Sequence, residues 1–95
     1  MAERSKEELL QEEQANKQLA EIEQLKRDYL ATFSTPEGKR VLTHLEHICF
    51  IHKTTFVKGD EFSTIRNEGT RFIVVHIQNM MNMDIVTLKK LVRES

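Results

Sequence analysis

Turn-forming and cross-linking residues are scarce in this chain. Its 95 residues include three glycines, one proline, one cysteine and no tryptophan. With 31% charged and 39% hydrophobic residues, such a composition favours helices with wet faces over a loop-rich architecture. The lone Cys49 cannot close an internal disulfide, which argues against a cross-linked secreted scaffold and for a reducing compartment. No uncharged run approaches the roughly 18 residues needed to span a bilayer, and the opening Met-Ala-Glu-Arg-Ser-Lys-Glu-Glu lacks the apolar centre of a signal peptide. A soluble protein with no membrane partner is expected. Charge of one sign is also missing: 14 Lys and Arg against 15 Asp and Glu give a net −1, so no global field draws the chain to nucleic acid. A single domain this short buries only about 60–65% of its unfolded surface, which leaves a small core and no roomy substrate pocket.

What is present is helical periodicity. From Ser5 to Phe33 there is no glycine or proline, and the residues are largely Glu, Gln, Lys, Ala and Leu, which lose least on entering a helix. Ser5 with Glu8 three places on has the form of a capping box. After an isolated Leu9-Leu10 pair, Ala15, Leu19, Ile22, Leu25, Tyr29 and Phe33 follow at spacings of three or four, a narrow stripe resembling a coiled-coil seam. Residues 1–33 thus read as a charged helical arm, with Leu19 and Ile22 open to a partner, and residues 34–95 as a compact domain.

Thr35-Pro36 marks the next helix start, with Thr35 as N-cap. Val41, Leu42, Leu45, Ile48 and Cys49 give this helix one buried face before Lys53. Phe56 and Val57 are expected to tuck under the domain, and Gly59-Asp60 supplies a turn and a cap. From Glu61 to Met83 the residues Phe62, Ile65, Phe72, Ile73, His76, Ile77, Met80 and Met81 predict a third helix buried along that stripe, with Gly69 allowing close approach of a neighbour. The β-branched run at 73–75 has no strand to pair with and stays in the helix. Asp84 caps a last helix with Ile85, Leu88, Leu91 and Val92 inward and Lys89, Lys90 and Arg93 near its end. The fold class is all-α: a long N-terminal helix followed by a compact three-helix domain.

The side chains that could carry chemistry do not assemble into a catalytic set. His44, His47, Cys49 and His52 fall on one segment, whereas a structural zinc site draws paired ligands from two elements, so no metal is expected. Cys49 lies on an apolar stripe, where a thiol is inert. The pairs Glu7-Glu8 and Glu12-Glu13 sit on the polar arm, and the three glycines are too dispersed to cradle a phosphate. No enzyme and no cofactor are expected. Lys53, Lys58, Arg66 and Arg71 could form a nucleic-acid patch, against which stands ion pairing of the arginines with Glu61 and Glu68. Met81 and Met83 are candidates for a subunit contact, since flexible thioethers suit adaptable interfaces.

Three stretches carry a resemblance: Phe33-Ser34-Thr35-Pro36-Glu37-Gly38-Lys39-Arg40-Val41-Leu42, then Thr54-Thr55-Phe56, then Asn67-Glu68-Gly69-Thr70-Arg71. Their order and spacing resemble a family of small tailed-bacteriophage proteins, over roughly Tyr29 to Arg93. The resemblance implies genes near those for head, portal and packaging functions, a role in particle structure or assembly, and no enzymatic activity. It implies portal, capsid or internal virion proteins as partners, with the protein in the host cytoplasm during infection and its presence in the finished virion left open. A homo-oligomer is expected. Two alternatives stay open: a DNA-binding packaging component similar to a small terminase subunit, and an early protein that inhibits a host factor.

Overall fold

The computed structural model describes residues 5–94, the last four as backbone only, and consists of helices α1 (Lys6–Phe33), α2 (Pro36–Ile48), α3 (Glu61–Asn82) and α4 (Ile85–Glu94), with no strand among the described residues. The expected inward Leu91 and Val92, and Arg93, lie outside the described side chains. No described helix is long and apolar enough to cross a membrane.

Each helix begins where a side chain can accept from an otherwise unpaired backbone N–H. Ser5 Oγ accepts from Glu8 at 3.2 Å, Thr35 Oγ1 from Gly38 at 2.9 Å, Asp60 Oδ1 from Ser63 at 2.9 Å and Asp84 Oδ1 from Thr87 at 2.7 Å. The end of α2 is closed differently. Ile51 N–H donates to Glu46 O at 3.2 Å, and Phe50 takes a left-handed φ of 64° at the position where glycine usually sits.

α1 packs against each of the other three helices. It runs antiparallel to α3, with Tyr29 against His76 and Lys26 beside the end of α3. Gly38 sets the α1–α2 corner: a Cβ there would lie 1.9 Å from Thr32 O, so the last turn of α1 rests directly on the α2 backbone. Gly69, expected to be the point of close approach, has nothing within 4 Å of such a Cβ. The close-approach glycine is therefore Gly38, because the tight turn fixes that corner whereas the face of α3 bearing Gly69 meets no helix.

The core is small. Ile22, Met80 and Leu88 form its centre, with Tyr29 and Met83 packed against it; Val74 and Ile77 are the remaining buried apolar residues among those described. Packing crosses the break at 33/34, since Ile22 of α1 meets Met80 of α3 and Leu88 of α4. The molecule measures 63 × 37 × 14 Å, little thicker than one helix, and its radius of gyration of 18.5 Å exceeds the about 12–13 Å of a compact domain this long.

A plate this thin leaves apolar residues uncovered, contrary to several sequence expectations. Phe62, Ile65, Phe72 and Ile73, expected to be buried, are 83%, 67%, 57% and 60% exposed. Val41 and Ile48 of α2 are also exposed, as are Phe56 and Val57, because no second layer covers these faces.

Candidate functional site

Viewed along α3, one apolar stripe has two different halves. Toward the C-terminus it is closed: Met80 is fully buried, and His76 meets the Tyr29 ring edge-on with centroids 6.3 Å apart. Lys26 from α1 secures this half. Its ammonium donates to the carbonyl oxygens of Met80, Met81 and Met83 at 3.1, 3.0 and 2.8 Å, using all three N–H donors on the negative end of the helix dipole.

Toward the N-terminus the stripe is open. Phe62, Ile65, Gly69 and Phe72 follow at spacings of three, four and three, with Ile73 at their edge, and none is covered by another helix. Beside them Phe56, Val57 and Ile65 line a shallow open depression of about 380 Å³ whose rim carries Asp60 and Glu61. The loop holding Phe56 is pinned to α3 by polar contacts. Val57 N–H donates to Thr64 Oγ1 at 2.9 Å, Asn67 Nδ2 donates to Thr55 O at 3.1 Å, and Thr55 hydrogen-bonds Glu68. Gly59, with φ 77°, occupies the third position of the turn closed by Asp60 N–H to Val57 O. Phe56 is thus presented to solvent by a fixed loop.

The residues singled out from sequence are dispersed. Leu19 is half-buried on α1, and Ile22, read as open to a partner, lies in the chain's own core. Met81 is half-buried, and Met83 packs against the core cluster. Of the four basic residues, Lys53 holds its ammonium 4.7 Å from the Phe50 ring centre, and Lys58 is exposed in the loop. Arg66 and Arg71 are exposed and, five residues apart on α3, point about 140° from one another. Arg66 and Arg71 therefore do not share one face of α3. The ion pairs expected between the arginines and Glu61 or Glu68 do not form among the described residues; Glu68 instead accepts from Thr55.

His47 and His52 bring their rings to 5.4 Å, yet no group of three His, Cys, Asp or Glu residues among those described is placed to hold a metal ion. Cys49 is half-buried. Two carboxyls depart from their ordinary range, and both are helix caps. Hydrogen bonding from the Ser63 backbone holds Asp60 low, and that from Thr87 does the same for Asp84.

Lys26 was not legible as a functional position, because a lysine four residues from Leu30 on a charged helix looks like any other wet-face residue. The family described as Bbp19-like phage protein matches residues 29–92. The chain belongs to the Bbp19-like phage protein family. The matched segment takes in the last turn of α1, all of α2 and α3 and most of α4, and so includes the open half of the α3 stripe. It excludes most of α1, including Ile22 and Lys26, which complete the closed half. No curated protein and no solved structure matches the chain.

Proposed function

We propose that this Bbp19-like protein is a non-enzymatic component of phage particle structure or assembly, working by helix-to-helix contact with portal, capsid or internal virion protein. The observation that carries this reading is the uncovered apolar surface. Phe62, Ile65, Phe72 and Ile73 stand open on α3, and the accessible area of the whole chain, 7598 Å², is about a third above the roughly 5,700 Å² of a compact monomer of 11.2 kDa. Contiguous exposed apolar residues in a fixed frame are a feature of protein-binding surfaces. The depression beside Phe56 is shallow and open, and its Asp60 is engaged as a helix cap, which suits a side-chain anchor better than a substrate.

Mass spectrometry of purified virions, with copy number, tests the reading directly. The protein is expected at a fixed stoichiometry in the particle or in isolated portal or capsid intermediates. Absence from both overturns it. A gel shift at low salt separates the DNA-handling alternative, which requires a steep salt dependence lost when Lys53, Lys58, Arg66 and Arg71 are neutralised. The divergence of Arg66 and Arg71 supports the protein-binding reading over that one.

A further inference from the structure

We infer that the histidine pair at the end of α2, His47 and His52, is a binding site for a divalent transition-metal ion of the zinc class, held by two neutral imidazoles with its other positions left to water. This site is separate from the open α3 surface and stands or falls independently of the assembly reading.

The backbone makes the pair. His47 lies in the last turn of α2, and His52 follows after the helix has ended. Between them the chain closes on itself: Cys49 N–H donates to Leu45 O at 2.8 Å, Ile51 N–H donates to Glu46 O at 3.2 Å, and Phe50 takes its left-handed φ of 64°. A phenylalanine carries a conformational cost there that glycine would not, and such outliers cluster at ligand sites. The reversal returns His52 to the final helical turn, where its ring meets that of His47.

The ring spacing suits chelation. The two ring centres are 5.4 Å apart and their planes are inclined by 53°. A zinc-type ion lies about 2.0–2.1 Å from each ligating nitrogen and so about 3.2 Å from each ring centre, which puts two rings at the tetrahedral angle about 5.2 Å apart. Both side chains are exposed, so an ion reaches them directly from solvent. The neighbouring acid does not compete for it, since Glu46 accepts from Gln78 Nε2 of α3 at 3.1 Å. Among the described residues no third His, Cys, Asp or Glu is placed to complete a closed site. Two imidazoles with open positions therefore favour a borderline ion over Mg²⁺ or Ca²⁺, which take oxygen ligands. The expectation of no metal assumed that all the histidines project from one straight segment, whereas these two come from a helix and from the turn beyond it.

Isothermal titration of the full chain with zinc chloride tests the site, with magnesium chloride as the comparison. One Zn²⁺ per chain, or one shared by the pairs of two chains, is expected, and no Mg²⁺. His47→Gln and His52→Gln each remove one ligand at an exposed position and are expected to keep their helical circular dichroism. Each weakens zinc binding by about tenfold or more, since even outer-shell partners of a metal are worth that much. His44→Gln and Cys49→Ser leave the affinity unchanged, and acidification lowers it as protons compete for the imidazoles. Trace Ni²⁺ broadens the ring proton resonances of His47 and His52 ahead of those of His44 and His76. No zinc binding, zinc binding that survives both glutamine substitutions as an adventitious ion only, or binding lost with His44→Gln or Cys49→Ser instead overturns the inference.

Discussion

The two halves of α3 are built from the same kinds of residue at the same spacing and meet opposite fates. Phe62, Ile65 and Phe72 lie in solvent, while Ile77 and Met80 are buried. The difference lies outside α3. α1 meets the stripe with Ile22 and Tyr29 before Thr35-Pro36 turns the chain into α2, and α4 folds back from the other end. An amphipathic helix therefore specifies which face it buries and not what will cover it. Where the chain's own helices run out, the apolar face stays in solvent.

Breaking the closed half has the largest expected effect. Met80→Ala empties the centre of a core with few other members and is expected to destabilise the fold by about 2–5 kcal/mol. Phe62→Ala, a larger deletion at an 83% exposed site, is expected to leave monomer stability within about 0.5 kcal/mol. Urea unfolding of both at low protein concentration checks the contrast. Equal losses would mean that the open half is covered within the single chain.

Lys26→Met comes next. It retains the aliphatic stem but leaves the carbonyls of Met80, Met81 and Met83 without their shared donor, with an expected cost of about 1.5–3 kcal/mol. Hydrogen exchange is expected to rise in α4 and the last turn of α3 more than at the start of α3. A uniform rise would show that Lys26 supports the whole fold instead of the closed half.

The two glycines are expected to respond with opposite signs. Gly38→Ala drives a methyl into Thr32 O and is expected to cost about 1–3 kcal/mol as α1 and α2 are forced apart. Gly69→Ala meets open space and is expected to add about 1 kcal/mol of helix stability. Thermal melts of the two variants check the contrast. A loss of stability in Gly69→Ala would mean that the folded chain does approach that glycine.

Helix identity and starts were legible in the sequence because they rest on local chemistry: Ser5, Thr35, Asp60 and Asp84 all accept hydrogen bonds as N-caps. Burial was legible only in part. Periodicity placed Phe62 and Ile65 with Ile77 and Met80 on apolar positions, and nothing local could show that the cover ends near His76. Close approach was placed at Gly69 instead of Gly38 for the same reason, since it depends on what arrives from elsewhere in the chain. The candidate site became visible only as a mismatch between an apolar pattern and its exposure.

The smallest expected effect is on acid sensitivity, and it links the two halves through their caps. Asp60 starts the open half, and Asp84 starts the α4 that closes the other. Backbone donors hold both carboxyls below the ordinary 3.8, the Ser63 N–H in one case and the Thr87 N–H in the other. A carboxyl lowered in the folded state contributes stability that is fully present above its unfolded value and is lost as pH falls through its folded value. Melting temperature should therefore be insensitive to these groups from neutrality down to about pH 5 and should decline below the unperturbed 3.8. Asp60→Asn and Asp84→Asn each keep a cap acceptor and remove one titration. The Asp84 change should flatten the acid limb of global melting, because α4 carries Leu88 into the core. The Asp60 change should instead flatten acid fraying at the first turns of α3, read by hydrogen exchange. If both substitutions leave the acid limb superimposed on that of the native chain, the loss at low pH arises from carboxylates other than the caps.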